Sequence, residues 1–131
     1  MPDRVIALKD VTLSLRGNAG MVEILHGITL EVEKGETLAL IGPSGSGKSS
    51  LLMVMGGLES ATSGTVSVLG SDLTAMDEDR LARFRRDHMG VVFQSFNLIP
   101  TMTALENVAT PLELAGDREA FAKAEAELEA V

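Results

Sequence analysis

The chain has 131 residues, 45% of them apolar, and a formal net charge of −8. That length makes one small domain or part of a larger one, with enough apolar surface for a packed α/β core. The acidic balance, the lack of Trp and Tyr and the mere four Phe exclude a nucleic-acid surface, which needs cationic and stacking side chains. With no Cys, and only His26 and His88 as imidazoles, a disulfide frame, thiol chemistry and a zinc centre are excluded as well. The apolar runs are broken by Gly, Ser or charge before they reach membrane-spanning length. Met1-Pro2-Asp3-Arg4 has no basic start followed by an apolar run, so it does not read as a secretory leader.

Residues 5–15 predict a strand, with alternation clearest from Val11 to Leu15. Arg16-Gly17-Asn18-Ala19-Gly20 is turn chemistry. A second extended run begins at Met21, where Ile28, Leu30 and Val32 alternate with Thr29, Glu31 and Glu33 and predict one wet face. Two such strands suggest an antiparallel layer beside a parallel core. After Lys34-Gly35, the run Glu36–Ile41 predicts a buried strand, and Ser50–Met55 the first turns of a buried helix that Gly56-Gly57 ends. Ser63-Gly64 turns the chain into a strand over Thr65–Leu69, closed by Gly70. Asp77 is the expected N-cap of a helix reaching about Asp87, with Leu81 and Phe84 on one face. Gly90–Phe93 predicts a short apolar strand with Gln94 at its end. Thr103-Ala104-Leu105-Glu106 fits a capping box, and its helix should run toward Ala115 with a kink or break at Pro111. Gly116 caps it, and Asp117 starts a last helix.

Between the predicted strand and the helix lies Gly42-Pro43-Ser44-Gly45-Ser46-Gly47-Lys48-Ser49, which meets the phosphate-loop pattern G-x-x-x-x-G-K-[ST] at every fixed position. Average residue usage gives that pattern by chance in only ~0.4% of chains of this length. The glycines let the backbone wrap around an anion. Successive N–H groups and the N-terminus of the following helix, including Ser50, then face the phosphates of a nucleotide. Lys48 supplies a point charge and the Ser49 hydroxyl a ligand for the accompanying Mg²⁺.

Further motifs follow in a fixed order. They are Gly57-Leu58, Ser63-Gly64, Val92-Phe93-Gln94, Leu98-Ile99-Pro100, and Thr103 with Leu105-Glu106-Asn107-Val108. With the phosphate loop, this order resembles the ATP-binding subunit of an ABC transporter, over essentially the whole chain. Gly90–Pro100 followed by Ala104–Val108 resembles most the lipoprotein-releasing and macrolide-exporting branch. The resemblance implies an α/β fold of the P-loop NTPase class. It would have antiparallel strands over about 4–33 and a partly parallel core over about 36–70 and 90–94. The start of a helical subdomain would cover about 95–131. It implies ATP and Mg²⁺ as ligands, with Gln94 as a second metal contact, although Gln94 read alone is only a polar residue ending a strand. The implied partners are a second copy of the domain and a transmembrane permease subunit. The implied location is the cytoplasmic face of the inner membrane. Phe96, Leu98 and Ile99 fit either the groove that receives the permease or ordinary core packing. The cargo would be a lipoprotein, a macrolide or another amphiphile, selected by the membrane subunit.

Two departures stand out. The family's adenine-stacking aromatic falls at Leu15, which offers apolar contact but no π face. The family's signature motif, Walker B aspartate, catalytic glutamate and switch histidine follow the Gln94 region in chain order, and none is here. Val5–Leu8 before Lys9-Asp10 imitates Walker B poorly and precedes the phosphate loop. The chain therefore reads as the first part of the domain, a little over half, ending inside the helical subdomain. The strands at 36–41 and 91–93 should then lack neighbours, and Leu51, Leu52 and Val54 part of their cover. No residue is a suitable general base, since Glu106 reads as a cap and Glu59 lies in a turn. Two alternatives stay open. One is a hydrolysis-incompetent nucleotide-binding fragment or regulatory half-domain. The other is a GTPase switch, for which Asp87-His88-Met89-Gly90 spells D-x-x-G, but ahead of its apolar strand and without a guanine-reading motif.

Overall fold

The computed structural model describes residues 3–131. They form two compact units, one ending at Gly90 and one spanning Val91–Val131. The first holds β1 (Arg4–Gly17), β2 (Gly20–Glu33), α1 (Lys48–Met55), β3 (Ser63–Val68), β4 (Ser71–Asp72), a 3-10 turn at Leu73–Ala75 and α2 (Glu78–His88). Its sheet has the order β2-β1-β3-β4 with every pairing antiparallel.

The hairpin closes at Gly17 opposite Gly20, where the turn residues predict it. Alternation then carries the pattern, except where an extra residue resets it. Leu8 pairs with Leu30 but Val11 with Ile28, so β1 bulges at Lys9-Asp10. The bulge corrects the parity of the strand, and Leu8, Val11 and Leu13 all enter the core at 0–1% exposure. Leu25, Val66 and Val68 join them from the other strands, Leu51, Val54 and Met55 from α1, and Leu81 and Phe84 from α2. Each such burial stabilises by about 1.5–3 kcal/mol, which is what docks a helix as short as α1. Asp77 caps α2 by accepting from Arg80 N at 2.8 Å.

Two predicted strands are absent. Residues 36–43 and 90–93 carry no sheet hydrogen bonds. Leu38, Ile41, Val91, Val92 and Phe93 are exposed. An apolar run satisfies the strand pattern, but a strand exists only where a ladder partner lies beside it. No such partner stands beside these runs among the described residues, and the expected parallel core is not formed there. Leu51 and Val54 are buried nonetheless, whereas Leu52 is left exposed.

The second unit packs α3 (Ala104–Leu114) against α4 (Ala120–Ala130) through Ala109, Ala120 and Ala124, all nearly inaccessible. The capping box forms as its residues predict. Thr103 Oγ1 accepts from Glu106 N and Glu106 Oε1 from Thr103 N, each at 3.1 Å. These bonds, the backbone one foremost, hold the Glu106 carboxyl below its ordinary range. Pro111 lies inside α3 without breaking it. The helix ends where Gly116 N meets Glu113 O and Asp117 N meets Leu112 O. Asp117 then accepts from Glu119 N at 2.9 Å ahead of α4. Phe96, Leu98 and Ile99 are exposed rather than packed in a core. The segment that carries them is clasped by Asn107, which accepts from Ile99 N at 2.8 Å and donates to Ile99 O at 3.2 Å and Thr103 O at 2.9 Å.

A candidate phosphate site at the head of α1

The loop Gly42–Ser49 leads directly into α1. Gly47 is the N-cap, in the left-handed region at φ 93°, and supplies no side-chain cap. The first turn of α1 holds no acidic residue. Its orphan N–H groups are thus left to an outside acceptor, at the end of the helix where the dipole is positive. Replacing Gly47 would be strained both by its φ and by its neighbours. A β-carbon there would lie 3.2 Å from the Ile24 carbonyl oxygen and 3.3 Å from Leu25 Cδ2.

That approach comes from a second bulge. Leu13 pairs with Leu25 and Ser14 with Glu23, which leaves Ile24 as the extra residue in β2. Bulges re-aim a side chain, and here Ile24 meets the loop. An open cleft of about 490 Å³ results, lined by Ser44, Gly45, Gly47, Lys48, Ser49 and Ser50 and by Ile24 from the sheet. It carries one ammonium and no carboxylate, in a chain whose net charge is −8. Lys48 Nζ donates to the Pro43 carbonyl at 2.8 Å and to that of Gly42, so its stem follows the loop. Ser46 N donates to Pro43 O at 3.2 Å and closes the turn.

The chemistry of this arrangement is anion binding. The head of a helix, a lysine and three serines line one cleft with no carboxylate among them. The Ser49 hydroxyl has no hydrogen-bond partner among the described residues, so its oxygen is available to a cation held between itself and a phosphate. No cluster of three His, Cys, Asp or Glu exists among the described residues.

The remaining sequence-predicted residues lie elsewhere. Leu15 sits near the hairpin end, half exposed and paired with Val22. It does not line the cleft, whose apolar wall is Ile24. Ile24 was not singled out by the sequence, because an isoleucine in an alternating strand signals only a core position. Gln94 is exposed and belongs to the second unit. Asp87 of the D-x-x-G spelling is engaged by Arg86 at 2.9 Å, and that hydrogen bond pulls its carboxyl below the ordinary range. Its place in the last turn of α2 does not suit a phosphate sensor.

Comparison with known proteins agrees with this geometry. The family described as ABC transporter matches residues 25–131. The macrolide export ATP-binding/permease protein MacB of Shigella boydii is 45% identical over 112 residues, covering 86% of this chain and 17% of that protein. The ABC transporter ATP-binding protein YbbA of Escherichia coli is 52% identical over 99 residues, covering 76% of this chain and 43% of that protein. Among solved structures, a dimeric ATP-binding cassette in a post-hydrolysis state with ADP and Pi superposes with a TM-score of 0.86 at 37% identity. It covers 95% of this chain and 56% of the cassette. The chain thus spans about half or less of the relatives it matches. With the phosphate loop in place, a match over most of its length and a cassette fold, this chain belongs to the ABC transporter family.

Proposed function

We propose that the chain is the ATP-binding part of an energy-coupling subunit of an ABC transporter, of the exporter or amphiphile-extruding kind. The observation that carries this reading is the uncapped N-terminus of α1, opening with Lys48 and Ser49 on a cleft free of carboxylates. In this reading the backbone N–H groups from Ser44 to Ser50 hold the β- and γ-phosphates of ATP, and Lys48 neutralises their charge. Ser49 would hold a Mg²⁺ ion, for which the family motif also implies Gln94, and the bound ion would supply charge withdrawal from the phosphates. Two copies of the complete domain close over the nucleotides and drive a transmembrane permease from the cytoplasmic face of the inner membrane. Support for the pairing comes from the dimeric cassette, and support for a permease from the ATP-binding/permease name of a relative. No helix among the described residues is long and apolar enough to cross a membrane. Nucleic acid is not a partner.

A second reading concerns this polypeptide by itself. Its cleft contains no carboxylate to accept a proton from water. We therefore expect it to bind ATP without turning it over. Phosphate release should stay at background and be the same in Lys48→Ala. Release well above background that Lys48→Ala abolishes would overturn this. The ATPase-family reading itself is tested by competition. Mg·ATP should occupy the site with GTP present in equal amount, and a site that GTP claims exclusively would belong to a switch protein.

Leu15 gives a quantitative expectation. If adenine lies against this part of the hairpin, Leu15→Tyr adds a stacking face worth ~1 kcal/mol, or about fivefold tighter ATP binding. Isothermal titration of both chains measures it, and equal affinities would remove Leu15 from the base site.

A further inference from the structure

We infer that Arg85 is a positioning residue for the phosphate loop, acting from α2 on the far end of α1; this rests on the nucleotide-binding reading above. The Arg85 side chain is half-buried, and its Nη1 donates to the Gly57 carbonyl at 2.6 Å. Gly57 closes α1. Its N–H bonds to Val54 O at 3.2 Å, and Leu58 N bonds to Met53 O at 2.8 Å, the paired bonds of a Schellman end. α1 has no basic residue in its own last turn and no acidic residue in its first. The cation that complements the negative end of its dipole therefore comes from another helix.

The contact is geometrically confined. The β-carbon position of Gly57 is 3.7 Å from Arg85 Cγ and 3.7 Å from Leu81 Cδ2. Arg85 and Leu81 are one helical turn apart on α2, and Leu81 is core, so the guanidinium is anchored through its own helix. Among the described residues this is the one side-chain hydrogen bond that reaches the C-terminal turn of α1. The rest of α1 is held by burial of Leu51, Val54 and Met55, which docks the helix without a directional bond at its C-terminal turn. α1 is ~12 Å long, so a tilt at Gly57 moves Lys48 and Ser49 directly. Arg85 fixes that angle and pre-organises the N–H groups that meet the phosphates.

The test is Mg·ATP affinity of the full chain, measured for wild type, Arg85→Gln and Arg85→Lys at a temperature where circular dichroism shows each folded. Arg85→Gln should bind about five- to tenfold more weakly, with Arg85→Lys recovering most of the loss. A mere structural staple would lower Tm and leave the Kd of the folded protein unchanged, and that result overturns the inference. Should Arg85→Gln not fold, the wild-type chain decides by NMR. The Arg85 Nε–H resonance should move on titration with Mg·ATP, along the same isotherm as the loop amides. A fixed Arg85 resonance beside moving loop amides overturns the inference. Loop amides that do not move at all overturn the nucleotide reading and the inference with it.

Discussion

Lys48→Ala should weaken Mg·ATP binding by one to two orders of magnitude and leave thermal stability nearly unchanged. Lys48 lines the cleft, and among the described residues its ammonium donates to the Gly42 and Pro43 carbonyls. Those carbonyls are on an exposed loop and can turn to water, so the fold loses little. A phosphate loses a charge-assisted hydrogen bond, worth about 1.5–3 kcal/mol, or about ten- to a hundredfold in affinity. Equilibrium titration and a melting curve on both chains separate the two effects. A parallel fall of Tm and affinity would make Lys48 a structural lysine.

Gly64→Ala should be the most damaging single methyl in the first unit. Its β-carbon would stand 2.4 Å from the Asp10 carbonyl oxygen and 2.6 Å from that of Lys9, at a φ of +89°. These are backbone atoms of the β1 bulge, so no side chain can give way. The β1–β3 pairing between Lys9 opposite Thr65 and Thr12 opposite Ser63 must open instead. We expect a cost of about 3–4 kcal/mol, at the severe end for point substitutions. That is ~15–25 °C in Tm for a unit of this size. Gly70→Ala is the control. It shares the positive φ, at +81°, but has nothing within 4 Å of the added carbon, so about 1–2 kcal/mol is expected. Equal effects at the two positions would show that dihedral strain alone matters and that the bulge contact does not.

The residues that read correctly from sequence are those whose physics is local. The Thr103–Glu106 box, the Gly116 stop and the Asp77 cap each depend on a few neighbouring side chains. The alternation of β2 also depends only on its own pattern. What sequence missed depends on partners far along the chain. Glu36–Ile41 and Val91–Phe93 carry the composition of buried strands, but a ladder needs a neighbour, and none is beside them among the described residues. The bulge that turns Ile24 onto Gly47 is set by pairing with β1, which no single strand reveals. Arg85 reads as one more charge on a polar helix until the end of α1 is placed against it. The same distinction holds at the candidate site. Its loop was legible in eight consecutive residues, whereas its apolar wall was not.

Whether the head of α1 holds a nucleotide's phosphates is decided by titrating the isotopically labelled chain with Mg·ATP and following backbone amides by NMR. Saturable shifts should concentrate at Ser44–Ser50 and Ile24, be shared with Mg·ADP and be absent with adenosine. Shifts that saturate elsewhere and leave Gly45, Gly47 and Lys48 in place would contradict this placement.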